Sequence, residues 1–263
     1  MRNKPDISLV LLSDIASEYK AKLCEYKQHG EALYELEVDY SDQRTQVFFL
    51  TLTAKDSFVS AQEKKISVLP AFCPERHINR DGTFCIGWGG IEELRIVDES
   101  SARNWWEKLI QFLRAQRRAV KKRVWPGETW AHGGAAPFQY EAEQYALKLG
   151  QAFIEKLKAN KLHVKRKINL SGNGSAFKFY IDGKLSYSVW EKYARVANTR
   201  QPCICYLPKG KRRKRMRSCE DHTIAAANLV ISLWNFQLKE QEFWGSFKDK
   251  ECCGTMNNCP LAS

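Results

Sequence analysis

Residues 77–88 read HINRDGTFCIGW and set one cysteine, Cys85, three positions past Gly82 and eight past His77. A thiolate nucleophile needs exposure, a lowered pKa and donors near the oxyanion that develops on its substrate. Asp81-Gly82 permits a tight turn that lifts the following residues onto a rim, and His77 can reach back across such a turn. Two other chemistries compete for these residues. Cys85 can be a packed core thiol. Alternatively, Cys73, His77 and Cys85 can supply three metal ligands, although a closed structural zinc site takes four.

A second group of thiols lies far downstream. Cys203, Cys205, Cys219, Cys252, Cys253 and Cys259 fall within the last 61 residues, whereas only Cys24, Cys73 and Cys85 occupy the first 202. Thiolate sulfur is a soft ligand, and four such groups converging favour zinc. The preferred zinc ligands are Cys205, Cys219, Cys253 and Cys259, with Cys203, His222 and Cys252 as alternates and buried, unligated cysteine as the competing reading. Zinc there would stabilise by closing loops onto a small sheet, not by chemistry. Between these thiols runs KGKRRKRMR, residues 209–217, in which seven of nine residues are basic. Such a run is a solvated loop, a phosphate contact on nucleic acid or a dock for an acidic protein; with no aromatic inside it, base stacking on single strands is disfavoured.

The elements that must position these residues follow from periodicity. The chain has 263 residues, 44% hydrophobic and 12% aromatic, with a net charge of +12, enough apolar content for a packed core. No apolar run approaches the ~20 residues of a membrane span, and the N-terminal apolar stretch is too short for a signal peptide. The expected location is therefore the cytoplasm, where thiols stay reduced. Leu12, Ile15, Tyr19, Leu23 and Tyr26 recur at helical spacing and predict a helix over 6–27. Residues 31–40 alternate as a half-buried strand. TQVFFLTLT gives a second strand and KKISVLPAF, residues 64–72, a third.

After the Cys85 segment and a loop from 87 to about 98, a helix capped by Ser100 or Ser101 runs to about 122, with Ala102, Trp105, Trp106, Leu109, Phe112 and Leu113 on its inner stripe. Residues 125–137 carry two prolines and three glycines and read as a linker. A helix over 139–159 follows, then AFKFYI and KLSYSVW flanking an Asp182-Gly183 hairpin turn, CICYL as a further strand, and a helix over 222–240. SGNGS, residues 171–175, is a hairpin loop without a phosphate-binding signature. The expected organisation is a first domain over 1–124, a linker over 125–137 and a smaller α+β cysteine-rich domain over 138–263.

The Cys85 segment resembles the active site of the ubiquitin-conjugating enzymes, the E2 family. That signature is His-Pro-Asn, Ile, three residues, Gly, two residues, then the catalytic cysteine. Counted back from the cysteine, Gly82 and Ile78 match, while His77, Arg76 and Glu75 stand where the family has Asn, Pro and His. The order of helix, strands, active-site segment and helix is also similar, over about the first half of the chain, although the family has four strands and the periodicity gives three. The resemblance, closest to bacterial E2-like proteins, implies an α+β UBC-like fold with an antiparallel meander and flanking helices. It also implies transthiolation: Cys85 takes the C-terminal carboxyl of a ubiquitin-like modifier as a thioester from an E1-like adenylating enzyme and passes it to a target nucleophile. On this reading His77 polarises the carbonyl, the loop 87–99 gates the nucleophile, and Asp98, with Glu99, orients an incoming amine. It further suggests an operon of that kind serving phage defence. The alternative is a non-catalytic zinc-containing protein that binds nucleic acid or an acidic partner through 209–217.

Overall fold

The computed structural model describes residues 6–27, 30–64, 68–91, 94–127, 130–168, 174–205, 214–219, 221–257 and 259–262. They form two compact units, one of residues 1–130 with 247–263 and one of residues 131–246.

In the first unit, helix α1 (Ile7–Asp14) is capped by Asp6, whose carboxylate accepts the Ser8 amide at 2.9 Å. The helix expected over 6–27 stops there. A 3-10 turn (Ala16–Tyr19) follows, Lys20 takes the left-handed conformation (φ 56), and the chain enters strand β1 (Ala21–Tyr26). Pairing against β2 (Glu31–Asp39), with Ala21 opposite Leu36 and Leu23 opposite Tyr34, overrides the helical spacing. The stripe still does its packing work: Leu12 and Ile15 are buried in the core, with Tyr19 and Leu23 packed against it.

Strand β3 (Thr45–Lys55) and β4 (Phe58–Glu63) complete an antiparallel meander in the order β1-β2-β3-β4. The last strand is not at 64–72, where KKISVLPAF predicts it. The chain turns earlier, through Asp56 and Ser57, both at positive φ (52 and 66), the geometry whose twist suits a two-residue hairpin. Residues 65–67 of the expected strand lie outside the described residues.

Helix α2 (Glu99–Lys122) lies across the core with Ala102, Trp105, Trp106, Leu109, Phe112 and Leu113 buried, the stripe its spacing predicts. Buried indole nitrogens need acceptors. Trp105 donates to the Val59 carbonyl at 3.0 Å and Trp106 to that of Leu12 at 3.1 Å, which ties the helix to β4 and to α1.

By its contacts, segment 247–263 groups with this first unit. Arg123, in the left-handed conformation at the end of α2, accepts the Asn257 amide at 2.7 Å and donates to the Gly254 carbonyl at 3.0 Å. Met256 and Cys259 bury with Cys73 and Ala119.

The second unit begins with α3 (Ala136–Leu149) and α4 (Gln151–Lys158), which replace the single helix expected over 139–159. They break at Gly150, where φ 121 and ψ 158 leave the helical region and favour glycine. Strands β5 (Leu162–Lys167), β6 (Ala176–Ile181), β7 (Lys184–Trp190) and β8 (Arg195–Val196) form a second antiparallel sheet in chain order. Asp182 and Gly183, at φ 50 and 77, make the predicted turn between β6 and β7. Helix α5 (His222–Gly245) buries Leu229, Val230 and Leu233, and the Tyr187 hydroxyl donates to the Ala226 carbonyl at 2.9 Å. The expected CICYL strand is not one: Cys203–Cys205 lie outside the named strands, and its last two residues are outside the described residues. Residues 171–173 and 209–213, from the glycine-rich loop and the basic run, also lie outside them. Among the described residues, no helix is long and apolar enough to cross a membrane.

Candidate functional site

Two clusters carry the chemistry, one in each unit. In the first unit, Cys73 opens a short loop held by its own backbone: it exchanges hydrogen bonds with Ile78 at 3.2 and 3.0 Å. Pro74–Arg76 form one 3-10 turn between them. His77 closes that turn in the left-handed conformation, φ 54. Among non-glycine residues, Asn, Asp and His are the ones enriched there, so a histidine can occupy this backbone position. The tight turn over 79–83 comes next. Gly82 sits at φ 82 with its amide on the Asn79 carbonyl at 3.0 Å, and the Asp81 carboxylate accepts the Thr83 amide at 3.0 Å and its hydroxyl at 2.6 Å. Those bonds hold Asp81 below its ordinary pKa, the Thr83 hydroxyl most of all.

The turn then delivers Phe84 and Cys85 to opposite fates. Phe84 goes inward, its amide on the Ala61 carbonyl at 2.8 Å, and its ring stacks on Phe112. Cys85 points outward and is exposed. Its amide is held by the His77 carbonyl at 2.8 Å, and its sulfur lies 3.9 Å from the Gly87 carbonyl. His77 therefore touches the Cys85 segment through its backbone, while its ring is buried with its centroid 4.8 Å from that of Trp125. For that ring to polarise a carbonyl on Cys85, it would have to turn out from Trp125.

Beyond Gly87, the Trp88 indole packs against Trp130 at 5.3 Å between centroids and lies so close over Gly90 that a side chain there would collide with it. The chain then returns to the β3–β4 hairpin, where the Ile96 amide donates to the Ser57 carbonyl at 2.8 Å. Asp98, expected to orient an incoming amine, is the N-cap of α2. Its carboxylate accepts the Ser101 amide at 2.8 Å and the Ser101 hydroxyl at 2.7 Å, and those bonds lower its pKa. Helix N-termini leave unsatisfied amides, and a cap carboxylate satisfies one.

In the second unit, the structure gathers Cys203, Cys205, Cys219 and His222, with their ligand atoms all within 4.8 Å of one another. This corrects the expected zinc set. Cys205 and Cys219 are in it, but Cys253 and Cys259 belong to the first unit, and Cys203 and His222 complete the group. The local backbone explains why. A bridge between Pro202 and Arg215, with the Cys203 amide on the Lys214 carbonyl at 2.8 Å, brings the two cysteine segments together. His222 is the first residue of α5, its amide on the Cys219 carbonyl at 3.1 Å. The signal available in the sequence was spacing: Cys203-x-Cys205 and Cys219-x-x-His222 are compact two-ligand units, whereas Cys253 and Cys259 are not paired in that way with either.

The group fits a tetrahedral ion. With Zn–S about 2.3 Å and Zn–N about 2.0 Å, a tetrahedron has S···S edges of ~3.8 Å and S···N edges of ~3.5 Å. Cys205 and Cys219 lie 3.8 Å apart, and His222 Nδ1 is 3.5 Å from Cys203 and 3.2 Å from Cys219. Burial pushes the Cys203 and Cys219 thiols up, and a bound cation would favour their thiolates.

With that geometry in place, comparison with known protein families covers both halves. Residues 20–127 match the family of prokaryotic E2 domains, and residues 131–261 match the family of cysteine-rich domains C-terminal to an E2 domain. The chain is an E2-like protein with a cysteine-rich appendage. No curated protein and no solved structure matches it. The four-stranded meander with α1 and α2 is therefore a UBC-like fold in a mixed α+β chain. Its strand count of four restores the element that the periodicity of residues 6–27 hides. Membership points to a conjugating role, with an E1-like enzyme and a ubiquitin-like modifier as general partners, and the appendage holds a Cys3His cluster suited to a metal.

Proposed function

We propose that this E2-like protein carries a ubiquitin-like modifier as a thioester on Cys85 and transfers it to a target nucleophile. The observation that carries the reading is Cys85 itself: an exposed thiol, with its amide pinned by the His77 carbonyl, on the rim of the Gly82 turn in a prokaryotic E2 domain. In the first step the Cys85 thiolate attacks the carbonyl of the modifier's thioester on its E1-like enzyme. The E1 thiolate leaves and a new thioester forms. In the second step a target amine or hydroxyl attacks that carbonyl and Cys85 departs as the thiolate. The turn supplies orientation, which is where much of the rate of such a transfer can come from. His77 acts as a positioning residue through its carbonyl, and Trp88, packed on Trp130, gates the approach. We propose cytoplasmic action within a bacterial conjugation pathway of the kind associated with phage defence.

We also propose zinc as the ion of the Cys3His cluster, held by Cys203, Cys205, Cys219 and His222. Such an ion supplies folding energy and no reaction step.

The test mixes the purified protein with its E1-like partner, the modifier and ATP. A thiol-sensitive adduct that forms on the wild type and is lost in Cys85→Ala supports the reading. An adduct that survives Cys85→Ala, or that never forms with an active E1, overturns it.

A further inference from the structure

Apart from Cys85 and the Cys3His cluster, the first unit contains another group of thiols. Cys73 Sγ and Cys253 Sγ share a hydrogen bond at 2.8 Å although 180 residues separate them in the chain. A modest shift would bring them to the ~2.05 Å of a disulfide bond. Cys73 is buried in the floor of the active-site loop, paired through its backbone with Ile78, the neighbour of His77. Cys253 comes from the C-terminal segment and is partly exposed, so a small oxidant can reach it.

The surroundings make the two sulfurs unequal. The Thr255 hydroxyl lies 3.0 Å from Cys253. Arg76, 2% exposed, donates to Gln116 at 2.8 Å and to Thr255 at 3.4 Å. Among the described residues, one of its terminal nitrogens has no hydrogen-bond partner. A buried cation without an anion is costly, and a thiolate beside it relieves that cost. Cys253 is the partly exposed thiol, beside the Thr255 hydroxyl, and Cys73 is the buried one.

We propose that Cys73 and Cys253 are a redox modification site, oxidised by a hydroperoxide to a disulfide that fastens the C-terminal segment to the floor of the loop carrying Cys85. The Cys253 thiolate attacks a peroxide oxygen and breaks the O–O bond. This forms the sulfenic acid and releases hydroxide, or alkoxide from an organic peroxide. Cys73 then attacks the sulfenic sulfur. Its proton goes to the departing hydroxide, and water leaves as the S–S bond forms. Two thiols are oxidised by two electrons, one peroxide is reduced, and a thiol reductant reverses the change. The adjacent Cys252 and Cys259 are an internal control: they lie in the same segment, and Cys259 is buried and so less accessible to an oxidant than Cys253.

The experiment treats the reduced full-length chain with hydrogen peroxide near equivalence, alkylates free thiols, digests without reduction and reads the peptides by mass spectrometry. The expected result is one dominant cross-linked pair joining the peptides of Cys73 and Cys253, cleaved by dithiothreitol. In Cys73→Ser, Cys253 should stop at the sulfenic acid and be captured by dimedone. The wild-type cross-link is read without any variant, so the test survives a variant that misfolds. Both thiols remaining alkylatable after peroxide, or a dominant bond between other cysteines, overturns the proposal. It is equally overturned if both react with the alkylating agent only after a chelator has removed a bound metal, since they are then ligands.

Discussion

Cys85 and Cys219 are the same residue in opposite settings. Cys85 stands exposed on a rim whose geometry is fixed by backbone bonds, the Gly82 turn and the Phe84 ring beneath it. Cys219 is buried within reach of two other cysteines and a histidine. An exposed thiol on a fixed backbone can meet a carbonyl and leave again. Buried thiols that converge meet each other, and only a cation makes that arrangement favourable as thiolates. What a cysteine does is thus set by what surrounds its sulfur. The two units are stabilised differently for the same reason. The first has a large aromatic core built on Trp105 and Trp106, with α1, α2 and the meander on it. The second packs α3, α4 and α5 on a smaller sheet and places its Cys3His cluster where a short bridge meets the start of α5.

The largest expected effect breaks that contrast at the metal. Zinc bound by such a ligand set contributes an apparent ~10–16 kcal/mol in small zinc domains at neutral pH. Cys219→Ser should therefore release the ion and abolish the cooperative unfolding transition of residues 131–246. The transition of the first unit should persist. Metal analysis and two-transition calorimetry read both at once. Wild-type protein without bound metal, or a variant with both transitions intact, refutes the assignment.

The same contrast explains what could be read from the sequence. Strand alternation over 31–39, the apolar stripe of α2 and the Asp182-Gly183 turn were legible because each is a local pattern whose burial partner is generic. The Gly82 turn and the exposure of Cys85 on its rim were legible for the same reason. The helix expected over 6–27 failed because Lys20 adopts a left-handed conformation that its residue type does not announce, and because β1 exists only by pairing with β2. The hairpin at Asp56-Ser57 lacks the glycine that marks such turns, so β4 was placed too late. The Cys3His set depends on a bridge between segments 13 residues apart, Pro202 to Arg215, and on where α5 starts. Six clustered cysteines suggest metal-ligand chemistry, but their partition between two units is a tertiary fact. Asp98 shows the converse. Its chemistry as a carboxylate suggested a catalytic role, while its place before a helix with Ser101 three residues on is a capping-box pattern visible in the sequence.

A smaller effect concerns acid, and it sharpens the difference between the units. In the second unit, His132 stacks on Phe243 with centroids 4.9 Å apart, and burial lowers its pKa from 6.5 to about 4. Folding favours the neutral ring, so its share of stability is complete above pH 6.5 and is lost as pH falls toward 4. Between pH 7 and pH 5 that amounts to about 2 kcal/mol. Glu240, which accepts the His132 amide at 3.2 Å, is raised by burial and acts in the opposite sense, favouring the fold at lower pH. The His132 shift is the one large enough to set the direction. The midpoint of the second unit in urea should drop on acidification, and the drop should shrink in His132→Phe. An equal drop in both proteins refutes the role of the ring.

The smallest effect separates scaffold from chemistry inside the first unit. If Asp98 serves as the cap of α2, Asp98→Ala removes one acceptor from the helix start and costs about 1 kcal/mol. Asp98→Asn or Asp98→Ser, which keep a side-chain acceptor, should restore most of it. Loading of Cys85 and its discharge onto a free amine, measured below the unfolding midpoint, should be unchanged in all three variants. A role in orienting the amine predicts a different pattern: discharge slowed in Asp98→Ala and Asp98→Asn alike, with stability restored only in the latter. The Asn variant is decisive, because it keeps the cap and removes the charge. The carboxylate is already held in its ionised form by Ser101, so raising the pH should not alter the outcome.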